Sequence, residues 1–145
     1  MTIIQAIRES VEDSIQNSLF VYGRNSDTAL ESAKELNIGT FVYLEPIQKT
    51  GNLTDGFLTD NITIGFLTQD EPDSSSDEEI NEESSESMEQ KVAEMENVAI
   101  DWLDYFCNNY TYSLNGNYNL QPVFRIKNVM TGVLLTFQFI EPKQC

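Results

Sequence analysis

The sequence predicts an α+β domain: an antiparallel sheet of about four to five strands, with one long and one or two shorter helices packed on one face. Three patterns carry that prediction. Apolar residues recur at steps of four and three from Met88 to Phe106, the spacing of one helical stripe. From Val133 to Ile140 the pattern changes to period two, the spacing of a strand, and Thr40 to Glu45 is dense in β-forming residues. With 145 residues and a hydrophobic content of 40%, the chain has enough apolar mass for one core, so residues 1–145 form a single domain.

The elements follow in order. Thr2 and Gln5 have capping-box spacing, and Ile4, Ile7, Val11 and Ile15 continue at helical spacing, which predicts a first helix from Ile3 to Gln16. Leu19 to Tyr22 is a short β-prone run ended by Gly23. Asn25 caps a small helix with Leu30, Ala33 and Leu36 facing inward, closed by Asn37 and Gly39. In the next strand Phe41 and Tyr43 share one face and Val42 and Leu44 the other, as in an interior strand; Pro46 stops it.

Ile47 to Asp60 reads as a loop, but Leu53, Phe57 and Leu58 are too apolar for a purely solvated connector. Two readings stay open: a projecting hairpin that extends the strands, or a loop covered by a partner. Ile62, Ile64 and Phe66 then alternate with Thr63 and Gly65 as a half-buried strand.

Residues 68–87 break the pattern. This stretch carries nine carboxylates, Asp70, Glu71, Asp73, Asp77, Glu78, Glu79, Glu82, Glu83 and Glu86, with no Lys or Arg and almost nothing to bury. It reads as a mobile acidic loop. Ser87 and Gln90 have capping-box spacing for the long helix, whose stripe is Met88, Val92, Met95, Ala99, Trp102 and Phe106, widened by Val98 and Leu103. Tyr105, Phe106, Tyr110 and Tyr112 cluster after it, placed to seal helix on sheet or to form an interface.

A closing hairpin ends the domain. Leu120, Phe124 and Ile126 share one face of its first strand and Val123, Arg125 and Lys127 the other. Asn128 to Gly132 makes the turn, with Gly132 free to take positive φ. In the second strand Val133, Leu135, Phe137 and Phe139 point one way and Leu134, Thr136, Gln138 and Ile140 the other. Such a strand, apolar on much of both faces, is interior or is covered again by a neighbouring subunit.

Charge narrows the function. The formal net charge is −16, with only eight Lys and Arg, whereas a protein that neutralises phosphates needs clustered cations. Direct DNA binding is therefore not expected. The same sign suits a surface past which DNA slides without sticking. No run of about 18 apolar residues predicts a membrane span, and the first residues show no secretory pattern. Cys107 and Cys145 do not make a disulfide framework.

Residues for catalysis are scarce. The chain has no His, which removes the commonest general base and metal ligand. It contains no Gly-rich phosphate loop and no zinc-spaced cysteines, and the spacing after Asp70 and Asp73 does not match a calcium loop. No enzyme activity, cofactor or metal is expected.

The element order, an acidic break before the long helix, and the closing strand GVLLTFQF resemble the small tail-terminator, neck and head-tail connector ring proteins of tailed bacteriophages. The resemblance covers most of the chain. It implies a six- or twelvefold homo-oligomeric ring at the portal-tail junction, made in the host cytoplasm and built into the virion. Its partners would be further copies of the chain and the portal, connector or tail proteins, and DNA would pass through without specific binding. The expected subunit or partner contacts are Leu134, Thr136, Gln138 and Ile140 on the closing strand, Arg125 and Lys127 on its hairpin mate, and Phe57 and Leu58. Arg125 and Lys127 are expected to pair with carboxylates of a neighbouring subunit. The acidic insert departs from the family's compact loops. A monomeric acidic adaptor or nucleic-acid mimic that binds a basic partner is the alternative reading.

Overall fold

The computed structural model describes residues 2–23, 39–51, 53, 54, 56–69, 82–126 and 130–141; for residues 69, 82–87, 125 and 126 it describes the backbone only. Among these the fold is α+β, with two helices and a mixed sheet of seven strands. The elements are α1 (Ile3–Ser14), β1 (Ser18–Tyr22), β2 (Thr40–Leu44), β3 (Gln48–Gly51), β4 (Leu58–Gln69), α2 (Glu82–Asn109), β5 (Ser113–Leu114), β6 (Asn119–Ile126) and β7 (Met130–Glu141).

The sheet has more strands than expected because its two central strands are long. β4 and β7 each run 12 residues and pair with each other along their whole length, from Leu58 opposite Glu141 to Gln69 opposite Met130. Each then takes two short partners end to end on its other edge: β2 and β3 lie on β4, and β5 and β6 on β7. β1 pairs in parallel with β2, the one departure from the expected antiparallel order. A parallel pair needs a crossover of about a dozen residues or more, and residues 23–39 supply that length. The short helix expected after Asn25 lies outside the described residues.

Both helices lie on the same face of the sheet. α1 begins as its sequence dictates: Thr2 accepts a hydrogen bond from the Gln5 amide, and the Gln5 side chain accepts one from the Thr2 amide. It ends at Ser14, two residues earlier than expected. Its buried stripe is Ile3, Ala6, Ile7, Ser10 and Val11, one position round from the expected one, so Ile4 and Ile15 are only half-buried. α2 starts at Glu82, a full turn before Met88, so Ser87 is an interior helix residue and does not cap the helix. At 28 residues α2 spans about 42 Å. Val92, Met95, Ala99, Trp102, Leu103 and Phe106 are buried, with Val98 half-buried beside them, whereas Met88, the expected first residue of the stripe, is half-buried outside this core.

The two helices are joined through a polar contact inside this core. Trp102 Nε1 donates to Ser10 Oγ at 2.8 Å, and Ser10 Oγ donates onward to the Ile7 carbonyl at 2.6 Å. Buried polar groups need such partners, and here each satisfies the other. Phe66, Phe106 and Phe137 ring the indole at centroid distances of 5.6, 5.4 and 6.0 Å. Phe106 also stacks on Tyr110, Tyr112 and Phe139, so these aromatics seal the end of α2 onto the sheet.

The closing hairpin differs from expectation at its turn. Gly132 is a buried residue inside β7, opposite Leu67 on one side and Val123 on the other, and its φ is not positive. The reason for glycine here is close approach: a Cβ would fall onto the Phe66 carbonyl oxygen and within 2.9 Å of the Leu67 Cα. In β6, Val123 pairs with Gly132 and Ile126 with Met130, so three steps of β6 match two of β7. That bulge ends the strict alternation expected for Leu120, Phe124 and Ile126, and Phe124 is exposed.

Candidate functional site

Pairing register divides the sheet into two faces. Ile62, Ile64 and Phe66 of β4 and Val133, Leu135, Phe137 and Phe139 of β7 face the helices and are buried. The opposite face carries Thr59, Asn61, Thr63 and Gly65 of β4 beside Ile140, Gln138, Thr136 and Leu134 of β7. Its flanks carry Gln48 and Thr50 of β3, and Asn119 and Gln121 of β6. Not one of these positions holds a charge, in a chain of net charge −16.

This face is ordered by side-chain amides. Gln138 Nε2 donates to Asn61 Oδ1 at 2.6 Å, Asn61 Nδ2 donates to the Gln48 carbonyl and to Thr50 Oγ1, and Asn115 Nδ2 donates to Gln138 Oε1. The row of bonds ties β3, β4, β7 and the residue after β5 together. Thr136 and Gln138 are exposed, while Leu134 and Ile140 are half-buried. Leu134 lies over Gly65, its Cδ2 only 3.3 Å from where a Cβ would stand, so its own sheet already covers part of it. Towards the far end the same face turns apolar: Phe41, Leu67 and Met130 are buried with Leu19, Val21, Tyr43 and Val123 packed around them.

The region expected to be a loop after Ile47 is the projecting hairpin. β3 pairs with the start of β4, from Gln48 opposite Asn61 to Gly51 opposite Leu58. Its open end exposes Leu53, Phe57 and Leu58, with Leu53 fully in solvent. Of the residues singled out from sequence, the structure places Thr136, Gln138 and Ile140 along the outer face of β7, whereas Leu58, opposite Glu141, is in phase with Asp60 on the helix side, at the hairpin end beside Phe57. Arg125 is placed in β6 by its backbone alone, and Lys127 lies outside the described residues. Asp70, Glu71, Asp73, Asp77, Glu78 and Glu79 are also outside them. Glu82, Glu83 and Glu86 belong to the first turns of α2, which corrects their assignment to a loop.

At the base of this hairpin is a charged group that the strand pattern did not reveal. Asp60 is completely buried on the helix side, Lys49 Nζ lies 3.6 Å from its Oδ1, and the same ammonium reaches Glu141 at 3.3 and 3.4 Å. Burial, then the charge of Glu141, raises the Asp60 pKa above the ordinary aspartate value, against the pull of Lys49. Burial opposes the Lys49 charge, but the two carboxylates outweigh it and its pKa rises. Tyr112 is raised by burial and then by Glu141 and Asp60. The available signal was phase: Asp60 stands two residues before Ile62, in step with Ile64 and Phe66 on the core face.

The helical layer has the opposite character. Glu9, Glu12 and Asp13 of α1 and Glu94, Asp101 and Asp104 of α2 are exposed, while Arg8 lies over the Phe20 ring at 5.4 Å. The surface grooves are open rather than enclosed, one along Gln5, Arg8 and Glu12 and one between Ser14, Val98 and Tyr105. Among the described residues no cluster of three or more acidic, Cys or His side chains is arranged to hold a metal ion. No helix among them is long and apolar enough to cross a membrane. Cys107 is a half-buried free thiol whose pKa is raised by burial and then by Asp104. No protein-family model matches the chain, and no curated protein sequence matches it.

Proposed function

We propose that this chain is a non-catalytic structural subunit that assembles with copies of itself into a ring, at the neck or tail terminator between portal and tail of a tailed phage. The observation that carries the reading is a sheet face of low charge, with Thr136 and Gln138 exposed and Glu45 at its rim, beside an apolar hairpin end in a strongly acidic protein. Copies of net charge −16 repel one another, so the surface through which they meet must be one that carries little charge. The face around Thr136 and Gln138 meets that condition, and the hairpin end exposes Phe57 and Leu58 as further apolar area. Arg125 and Lys127 add the few cations available to pair with a neighbour's carboxylates.

The phage assignment is supported by the resemblance of element order and closing strand. The repeated acidity fits it as well, since negative charge multiplied around a ring keeps DNA from adhering to the wall. The exposed carboxylates of α1 and α2 favour a second reading, a monomeric acidic adaptor that binds a basic partner. Sedimentation velocity and negative-stain imaging of the full chain across concentration separate the two. The ring reading expects a discrete large assembly that Thr136→Glu disperses, because it puts repeated carboxylates into the contact. A protein that stays monomeric at every concentration, and alongside portal or tail components, rules that reading out.

A further inference from the structure

We propose that Asp60 is a protonated carboxyl, set beneath the Lys49–Glu141 ion pair, and that its proton fastens the base of the projecting β3–β4 hairpin. Asp60 has no exposed surface, and among the described residues neither of its carboxylate oxygens has a hydrogen-bond partner. An ionised carboxylate so placed is costly unless it is paired and bonded. Among the described residues Lys49 is its one cation, and at 3.6 Å it is beyond a good hydrogen bond and closer to Glu141. Lys49 and Glu141 keep contact with solvent, whereas Asp60 lies beneath them with no exposed side chain. One proton on Asp60 removes a buried charge that the shared ammonium compensates poorly.

The strands explain how the three groups meet. Lys49 is directly opposite Asp60, and Asp60 is opposite Phe139, two residues before Glu141 on the same face of β7. The groups that face Asp60 are Lys49 from β3, Glu141 from β7, and the Tyr112 hydroxyl from the residue before β5, which feels both carboxylates. Phe139 brings only a ring. Burial and then the Glu141 charge raise the Asp60 pKa, against the pull of Lys49.

The sign of the pH effect follows. A carboxyl whose folded pKa is raised contributes stability that is fully present below its unfolded pKa and is lost as pH rises through the folded value. Raising the pH above the ordinary aspartate value of 3.8 therefore loosens the hairpin that carries Phe57 and Leu58. This inference is independent of whether the chain forms rings.

The test is a carbon-13 titration of the side-chain carboxyl groups in the full chain, with the Asp60 signal assigned by its loss in Asp60→Asn. The expected midpoint for Asp60 is above 3.8. Glu141→Gln should lower that midpoint and Lys49→Met should raise it. Amide exchange at Gln48–Gly51 should show more frequent opening as pH rises, beyond the intrinsic effect of base, and Asp60→Asn should flatten that rise. An Asp60 midpoint at or below 3.8, or one that neither variant moves, overturns the proposal. Should a variant fail to fold, the unmodified chain's titration still decides.

Discussion

Replacing Ser10 by Ala tests how the two helices are held together. Ser10 Oγ is the acceptor for Trp102 Nε1, 92 residues away in sequence, and both side chains are buried. Removing the hydroxyl leaves the indole N–H with no partner in a core lined by Phe66, Phe106 and Phe137. A buried donor left unsatisfied costs about 1–3 kcal/mol. The methyl of Ala fills most of the Ser volume, so the cavity contribution is small. For a domain of this size the loss corresponds to about 3–10 °C in Tm. The assay is a double-mutant cycle by urea denaturation with Ser10→Ala, Trp102→Phe and the pair. Trp102→Phe loses ring volume and also removes the N–H, so Ser10→Ala should cost much less in that background, a coupling of about 1 kcal/mol or more. Additive costs within about 0.3–0.5 kcal/mol would show that the hydrogen bond does not join the helices.

Other outcomes follow from the same structure. Gly132→Ala puts a methyl group onto the Phe66 carbonyl at the centre of the sheet and should cost about 1–3 kcal/mol or more in chemical denaturation, because β4 is held on both edges. Thr2→Ala removes the acceptor of the α1 capping box and should lower stability by about 0.5–2 kcal/mol, seen as a lower denaturation midpoint. Tyr110 is raised to about 12 by burial and then by Glu9, whose Oε1 accepts its hydroxyl at 3.3 Å. Folded Tyr110 therefore holds its proton above pH 10, and its contribution to stability should fall between about pH 10 and about pH 12. Ultraviolet titration should show late-ionising tyrosine absorbance, part of which Tyr110→Phe removes.

Much of this was legible from the chain alone, wherever the cause is local. The α1 capping box depends on residues three apart, the α2 stripe on steps of three and four, and the two faces of β7 on strict alternation; the structure has these, with the α2 stripe beginning at Val92 and not at Met88. The start of α2 was read six residues late because the acidic composition before Met88 resembles a loop, although Glu and Ser at its head are tolerated in a helix. The β3–β4 hairpin was one of two open readings, since exposed apolar residues in a turn do not themselves say whether the chain pairs or is covered.

Tertiary structure alone decided which strands meet. Local pattern makes a strand but does not choose its neighbour, because many edges offer the same backbone hydrogen bonds. Hence the parallel β1 and β2, the bulge at Val123, and the use of Gly132 for close approach became visible only in the assembled sheet. The same holds for Asp60: its phase along β4 points to the core face, but Lys49 and Glu141 come from other strands. The low charge of the outer sheet face is a property of register, summed over residues of β3, β4, β6 and β7 that lie far apart in the chain. The sequence determines each strand's two faces; the pairing decides which residues stand side by side on them.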